Sequence, residues 1–227
     1  MNIELVVFDM AGTTVADNGN VNDSFRNAFA AEGILVNAAD INKIMGYRKM
    51  EAVKNILTQY APHLADPLDK TIQRIHNRFT EEMVSFYSND TDLKPLPFAE
   101  ELFQLLQYKE IKVALNTGFT RVITDAILTQ LGWNKNPFIN QVICSDEVPE
   151  GRPHAYMIQS IMQQLGISTV KNVAKVGDTE VDILEGRNAG CGMVVSVTSG
   201  AYTREELIQY SPDFIIDSLQ EFPALIK

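Results

Sequence analysis

The order of apolar runs along the chain limits the fold more than any other feature. Short runs rich in β-branched residues end in small or acidic residues, and they alternate with longer segments whose apolar residues recur at helical spacing. This alternation is typical of a parallel sheet covered by helices, so we predict an α/β protein. Six strands are predicted, near residues 3–8, 112–116, 140–144, 173–177, 192–197 and 214–216.

A long segment without a convincing strand separates the first two predicted strands. It spans about a hundred residues, which is far more than a simple crossover between parallel strands requires. Three helices are predicted there from apolar spacing, over residues 22–32, 49–60 and 69–87. We therefore predict an inserted α-helical cap domain over residues 18–92, and a core domain made of residues 1–17 and 93–227.

The composition restricts the partners and the compartment. Nineteen Lys and Arg residues against 29 Asp and Glu residues give a formal charge of −10, which argues against nucleic acid or an anionic membrane as a partner. Cys144 and Cys191 lie far apart in apolar stretches and are predicted to be free thiols. With no signal peptide and no apolar run of about 18 residues, we predict a cytoplasmic protein that binds a small molecule. The oligomeric state is left open, with a homodimer as one option.

The first candidate for chemistry is Asp9, which directly follows the first predicted strand. Open α/β sheets bind ligands at the carboxyl edge of the strands, so a carboxylate there can be a nucleophile, a metal ligand, or both. It can also cap the following helix, and the local sequence does not decide between these roles. The residues after it are Met10, Ala11, Gly12 and Thr13.

Two later segments carry groups suited to holding a phosphoryl group. Thr117 and Gly118 end the second predicted strand with a hydroxyl and a flexible backbone, although an ordinary turn with a capping Thr has the same sequence. Arg152, between Gly151 and Pro153, is a cation that can hold a carboxylate and a phosphate at once. The alternative for Arg152 is a surface position just before a helix.

A pair of carboxylates follows the fourth predicted strand. Asp178 and Asp182 are four residues apart, which suits a site for Mg²⁺ because this ion takes one or two carboxylates and keeps waters for its other positions. A capping Asp followed by an acid in the first helical turn is the alternative. The Val176-Gly177 context favours the metal site.

The four segments, in this order, are similar to the motifs of the haloacid dehalogenase superfamily, whose members transfer phosphoryl groups through an aspartate nucleophile. The similarity covers nearly the whole chain. The superfamily's first motif is usually D-x-D-x-T/V, whereas this chain has D-M-A-G-T from Asp9 to Thr13. Ala11 in place of the second Asp, and Arg152 in place of the usual Lys, resemble phosphonoacetaldehyde hydrolase and its phosphonatase-like relatives.

This resemblance implies a Rossmann-like core under a helical cap, and it implies a role for each motif residue. Asp9 would attack phosphorus, and Mg²⁺ would be held by Asp9, the backbone carbonyl of Ala11 and Asp178. Asp182 would orient the metal's waters or Arg152. The phosphoryl group would be bound by Gly12, Thr13, Thr117, Gly118 and Arg152.

The chemical consequence of Ala11 can be argued without the family. A phosphate ester leaves as an alkoxide and gains about 10²–10⁴-fold from a general acid, which Ala11 cannot supply. A phosphonate leaves as carbon and needs an electron sink, which a protonated imine between a lysine and a β-carbonyl provides. The resemblance assigns this lysine to Lys49, which follows the pair Met45-Gly46. The predicted function is therefore cleavage of the carbon–phosphorus bond of a 2-oxo-alkylphosphonate.

Two departures from the resemblance bear on the substrate. Phosphonoacetaldehyde hydrolase carries a His three residues after its lysine, where this chain has Ala52, and a phenol after the second motif, where this chain has Phe119. These changes predict a sister enzyme that acts on a different 2-oxo-alkylphosphonate. The first alternative is a phosphomonoester phosphatase for a small phosphorylated metabolite, against which Ala11 argues. The second is a binding protein without activity, against which the complete set of motif residues argues.

Overall fold

The computed structural model describes residues 2–62 and 68–226, without the side chains of residues 68 and 69. Its centre is a six-stranded parallel sheet with the strand order β3-β2-β1-β4-β5-β6. The strands are Leu5–Phe8 (β1), Lys112–Thr117 (β2), Gln141–Cys144 (β3), Val173–Gly177 (β4), Met193–Val197 (β5) and Phe214–Ile216 (β6). All six predicted strands are present, so the predicted α/β class is confirmed.

Helices surround this sheet and also fill the long segment between β1 and β2. The α-helices of the described residues are Asn20–Ala30 (α1), Ala38–Asn42 (α2), Lys49–Tyr60 (α3), Leu68–Asn89 (α4), Ala99–Tyr108 (α5), Arg121–Gln130 (α6), Tyr156–Leu165 (α7), Glu180–Ala189 (α8) and Arg204–Ile208 (α9). The sequence did not predict α2, because five residues are too few to show a helical period. The side chain of Asn37 caps it by accepting from the amide of Asp40. No helix in the described ranges is long and apolar enough to cross a membrane.

The central strand β1 is buried on both faces, which explains its continuous apolar sequence. Successive side chains of a strand point to opposite faces, so Val6 and Phe8 enter one apolar cluster while Leu5 and Val7 enter the other. The ring of Phe8 packs against that of Phe103 on α5, at 5.6 Å between centroids. This packing fixes the end of β1, where Asp9 follows.

The chain leaves and re-enters the core through two adjacent segments. Val15 and Pro95 form an antiparallel bridge, and the amide of Leu96 donates to the carbonyl of Thr14 at 2.8 Å. Helices α1 to α4 lie between these segments in the sequence, and Phe25 on α1 stacks on Phe79 on α4 at 4.0 Å. This arrangement is compatible with an inserted unit over residues 18–92, of which residues 63–67 lie outside the described residues. The exact domain division stays a prediction.

Candidate active site

The candidate site lies at the carboxyl edge of the three central strands. Asp9 follows β1, Thr117 ends β2 and Asp178 follows β4, and since these strands are parallel neighbours the three side chains converge. They share the wall of a cavity of about 220 Å³. Its wall is formed by Asp9, Ala11, Gly12, Thr117, Gly118, Phe119, Asp178, Thr179, Gly200 and Ala201 on one side, and by Asp17, Gly19, Val21, Asn22, Asn42, Met45, Gly46 and Lys49 from the connection and the insert.

Asp9 is buried and paired with a cation. Its side chain is 7% exposed, and Oδ1 lies 2.6 Å from Nη1 of Arg152. The hydroxyl of Thr14 donates to the Asp9 carbonyl at 2.9 Å and fixes the turn after β1. Burial raises the pKa of Asp9, and the charge of Arg152 opposes this shift. One oxygen is thus held by Arg152 while the residue still faces the cavity.

Arg152 is fully buried beneath Asp9 and is not part of the cavity wall. Its Nη2 donates to the carbonyl and to Oδ1 of Asn116 at 2.8 and 2.7 Å. It also lies 3.0 Å from Asp182 and 3.2 Å from Glu185. Although burial disfavours its charge, these carboxylates and Asp9 raise the pKa of Arg152, so it stays ionised. The alternative prediction, that Arg152 lies at the surface just before a helix, is therefore wrong.

A second buried cation, Lys175, lies beside Arg152 and was not among the predicted site residues. Its Nζ lies 3.0 Å from Asp182 and 3.3 Å from Glu185, and it donates to Oδ1 of Asn116 at 2.7 Å. We call Arg152, Lys175, Asp182 and Glu185 the buried charge cluster. The sequence did contain a signal for this residue, because Lys175 lies in the middle of a strand that is otherwise apolar. A buried charge at such a position requires charged or polar partners.

Asp182 lies outside the cavity wall, where it is both the acid in the first turn of α8 and a partner of Arg152, two of the roles that the sequence analysis offered for it. Its Oδ2 accepts from the hydroxyl of Thr179 at 2.6 Å and caps the first turn of α8. Its Oδ1 faces Arg152 and Lys175. Burial alone would raise the pKa of Asp182, but the two cations lower it, so it is ionised. A Cβ on Gly177 would overlap Asp182, so glycine is needed for this approach.

Asp178 is 2% exposed and is oriented by two hydrogen bonds. Thr13 donates its hydroxyl to Oδ1 at 3.0 Å, and the amide of Ala201 donates to Oδ2 at 2.7 Å. Thr13 therefore lies behind the cavity wall, next to Gly12, whose φ of +85° favours glycine. Burial and the charge of Asp9 raise the pKa of Asp178 well above its ordinary value. Two mutually repelling carboxylates thus face one cavity.

The two carboxylates on this wall are ligands of the type that Mg²⁺ takes. Within residues 2–62 and 68–226 there is no group of three His, Cys, Asp or Glu side chains placed to hold a metal. Magnesium needs only one or two carboxylates and retains several waters. Asp9, Ala11 and Asp178 all belong to the cavity wall, so the residue types suit this ion.

Lys49 is the first residue of α3 and closes the opposite side of the cavity. It is 3% exposed, and its Nζ lies 4.8, 5.5 and 6.0 Å from the ring centroids of Phe119, Phe25 and Phe79. Among the described residues no carboxylate lies within ion-pair distance of this amine. Burial lowers the pKa of Lys49 to about 8, although Asp9 opposes the shift.

Close backbone contact holds the insert over the cavity. A Cβ on Gly118 would lie 2.5 Å from the carbonyl oxygens of Gly46 and Tyr47, so a larger residue would separate the two sides. The hydroxyl of Tyr47 donates to Glu180 at 2.8 Å, and Arg48 donates to the carbonyl of Pro149 at 2.9 Å. These contacts hold the segment before Lys49 against the core.

Three comparisons with known proteins identify the family and the fold. A family model described as haloacid dehalogenase-like hydrolase matches residues 3–190. The phosphonoacetaldehyde hydrolase of Bacillus cereus (strain B4264) is 31% identical over 223 residues, which cover 91% of this chain and 81% of that protein.

Solved structures share the fold. A phosphonoacetaldehyde hydrolase-like protein from Oleispira antarctica superposes with a TM-score of 0.85 at 22% identity, covering 99% of this chain and 91% of that one. A predicted phosphoglycolate phosphatase from Haemophilus somnus gives 0.78 at 20% identity, covering 98% and 97%. At these identities the two structures support the architecture alone.

Proposed function

Since this chain belongs to the haloacid dehalogenase-like hydrolase family, we propose that it hydrolyses the carbon–phosphorus bond of a 2-oxo-alkylphosphonate through an imine on Lys49. The relative from Bacillus cereus is named phosphonoacetaldehyde hydrolase, which supports a substrate of this class. The observation that carries the proposal is the position of Lys49, an almost fully buried amine on the wall of the cavity that also contains Asp9.

Lys49 is suited to attack a carbonyl because its amine is readily neutral. A lysine with a pKa of about 8 is roughly one-tenth neutral at pH 7, against less than about 0.1% for an ordinary lysine. The three phenylalanine rings are apolar neighbours of this amine, and in the described residues no carboxylate pairs with it to fix the charge. They also tolerate the cation that forms when the imine is protonated, since a ring face attracts positive charge.

The bond-breaking step joins Lys49 to Asp9. A carboxylate oxygen of Asp9 attacks phosphorus, and the electrons of the carbon–phosphorus bond move into the protonated imine to form an enamine. The enamine carbon then takes up a proton, which gives an imine of the product. Water hydrolyses this imine, releases the carbonyl product and restores Lys49. Water hydrolyses the aspartyl phosphate and releases phosphate.

The residues around Asp9 orient this step. Arg152 holds one oxygen of Asp9 at 2.6 Å, which leaves the other to attack in a fixed direction. Thr117 and Gly118, at the end of β2, are available on the cavity wall for phosphoryl oxygens. Arg152 itself, beneath Asp9, acts on the phosphoryl group mainly through Asp9 in this arrangement.

We also propose that Asp9, Asp178 and the Ala11 carbonyl hold Mg²⁺. When bound, the ion would offset the repulsion between the anionic phosphonate and the two carboxylates. Thr13 and Ala201 keep Asp178 oriented toward that position.

Phosphomonoester hydrolysis is the rival activity, and the identity of residue 11 separates the two. Ala11 lies on the cavity wall two residues after Asp9, and it has no proton for an alkoxide leaving group. Carbon–phosphorus cleavage through an imine does not need that proton.

Phosphate release from matched substrates tests the proposal. We expect Mg²⁺-dependent release from phosphonoacetaldehyde or 2-oxopropylphosphonate, and a loss of about 10³-fold or more in Lys49→Arg, which cannot form the imine. Lys54→Arg, an exposed residue on the same helix, is the control and should keep full activity. Release from phosphate esters alone, unchanged in Lys49→Arg, would contradict the proposal.

A further inference from the structure

Imine formation on Lys49 needs proton transfers that Lys49 and Asp9 do not provide. When the neutral amine attacks the carbonyl carbon, the carbon–nitrogen bond forms and a carbinolamine results. Its carbon–oxygen bond then breaks, the nitrogen lone pair forms the C=N⁺ bond, and the oxygen leaves as water after accepting a proton. An acidic side chain in the part of the cavity next to Lys49 would supply this proton.

We propose that Asp17 is this acid, an inference that rests on the function proposed above. In the described part of the chain, the titratable side chains on the cavity wall are Asp9, Asp17, Lys49 and Asp178. Asp9 is paired with Arg152 and is the proposed nucleophile. Asp178 accepts hydrogen bonds on both oxygens. Asp17 is the remaining carboxyl group.

The local backbone orients Asp17. Asp17 lies in the connection between β1 and α1, where the amides of Gly19 and Val21 donate to Oδ1 at 3.1 and 3.5 Å. Both of these hydrogen bonds reach Oδ1. In the proposal, Oδ2 donates a proton to the carbinolamine oxygen and takes one back when the product imine is hydrolysed.

The environment of Asp17 favours the protonated form more than water does. Burial raises its pKa, while the amides of Val21, Gly19 and Asn20 and the charge of Lys49 oppose the shift. The ionisable groups that face it are Lys49 on α3 and Tyr87 on α4, since Asp17 in turn affects the pKa of both. A carboxyl group with a raised pKa suits proton transfer near neutral pH.

Two other groups near Lys49 are less suitable. The hydroxyl of Tyr87 is buried and has no hydrogen-bond partner in the described residues, but burial and Asp17 raise its pKa, which makes it a weaker acid. His76 lies in a separate surface pocket with Thr120 and Asp146. Neither side chain belongs to the wall of the cavity.

Asp17→Asn tests the proposal with little structural change, because Asn keeps an oxygen to accept from Gly19. The measurement is the rate at which borohydride traps an adduct of 2-oxopropylphosphonate on Lys49. We expect trapping to slow by roughly 10²-fold or more. Asp23→Asn, an exposed carboxyl group on α1, is the matched control and should trap at the wild-type rate.

The sign of the effect separates proton transfer from simple electrostatics. The negative charge of Asp17 raises the pKa of Lys49, so removing it leaves more neutral amine at pH 7. If Asp17 acted only through its charge, Asp17→Asn would trap faster. Proton transfer predicts slower trapping in Asp17→Asn and recovery of the rate in Asp17→Glu, which restores the acid. Asp17→Glu is also the variant to measure if Asp17→Asn does not fold.

The remaining outcomes are distinct. Trapping at or above the wild-type rate in folded Asp17→Asn would overturn the role of Asp17. Slow trapping in Tyr87→Phe with normal trapping in Asp17→Asn would assign the proton to Tyr87 instead. Absence of any adduct in the wild-type enzyme, with no phosphate release from oxophosphonates, would overturn the proposed function itself.

Discussion

Replacing Lys175 by Met removes one of the two cations of the buried charge cluster. In the wild-type protein Arg152 and Lys175 face Asp9, Asp182 and Glu185, and the five side chains are at most 7% exposed. Met fills a similar volume but leaves Arg152 alone against three carboxylates. It also leaves Oδ1 of Asn116 with one donor fewer.

The expected cost is large relative to the stability of a domain. Removing one partner from a buried ion pair typically costs about 3–5 kcal/mol, because the other charge stays buried. The free energy of unfolding of a domain is about 5–15 kcal/mol. With a urea m value of about 3 kcal/mol per M, the midpoint of unfolding should fall by roughly 1–1.7 M.

Trp133 makes the measurement direct. It is the only tryptophan in the chain, and it is 3% exposed in the apolar core against Phe103. Its fluorescence in urea should report the shift in Lys175→Met, while Lys171→Met, at an exposed position just before the same strand, should stay within about 0.5 kcal/mol of wild type. Adding Glu185→Gln to Lys175→Met should recover part of the loss. A change below about 1 kcal/mol in Lys175→Met would refute the reasoning.

Three further predictions follow from the cavity. The rate at which an amine-directed acylating reagent labels Lys49 should rise with pH around a midpoint near 8, since only the neutral amine reacts and its pKa is about 8; a midpoint near 10.5 would contradict the burial of this amine. Gly118→Ala should push the insert away from the core, expose Lys49 and move that midpoint upward, which the same pH series measures. Ala11→Asp should supply the absent acid and raise hydrolysis of phosphate esters by roughly 10²-fold, as measured by phosphate release; no gain would show that residue 11 does not limit this activity.

The sheet and three residues at its edge could be predicted from the sequence for a single physical reason. Buried parallel strands appear as apolar runs, and the residues that follow neighbouring parallel strands must meet at one edge. Asp9, Thr117 and Asp178 therefore lie on one cavity wall, as their positions after strands predict. The short helix α2 was missed because five residues carry no measurable period.

The contacts around these residues could not be predicted in the same way. The role of Arg152 and Thr13 as ligands of the phosphoryl group stays a prediction, whereas their contacts with Asp9 and Asp178 are visible only in the structure. Lys175 was visible as a charge within an apolar strand, yet its partners come from elements far away in the sequence. Long-range side-chain packing of this kind leaves no local pattern.

The measurement that most directly tests the central claim is identification of the residue that forms the imine. The enzyme is incubated with phosphonoacetaldehyde or 2-oxopropylphosphonate, reduced with borohydride, digested, and analysed by peptide mass spectrometry. We predict an adduct on Lys49 that accompanies phosphate release and disappears in Lys49→Arg. No adduct on Lys49, together with phosphate release that survives Lys49→Arg, would contradict the imine mechanism.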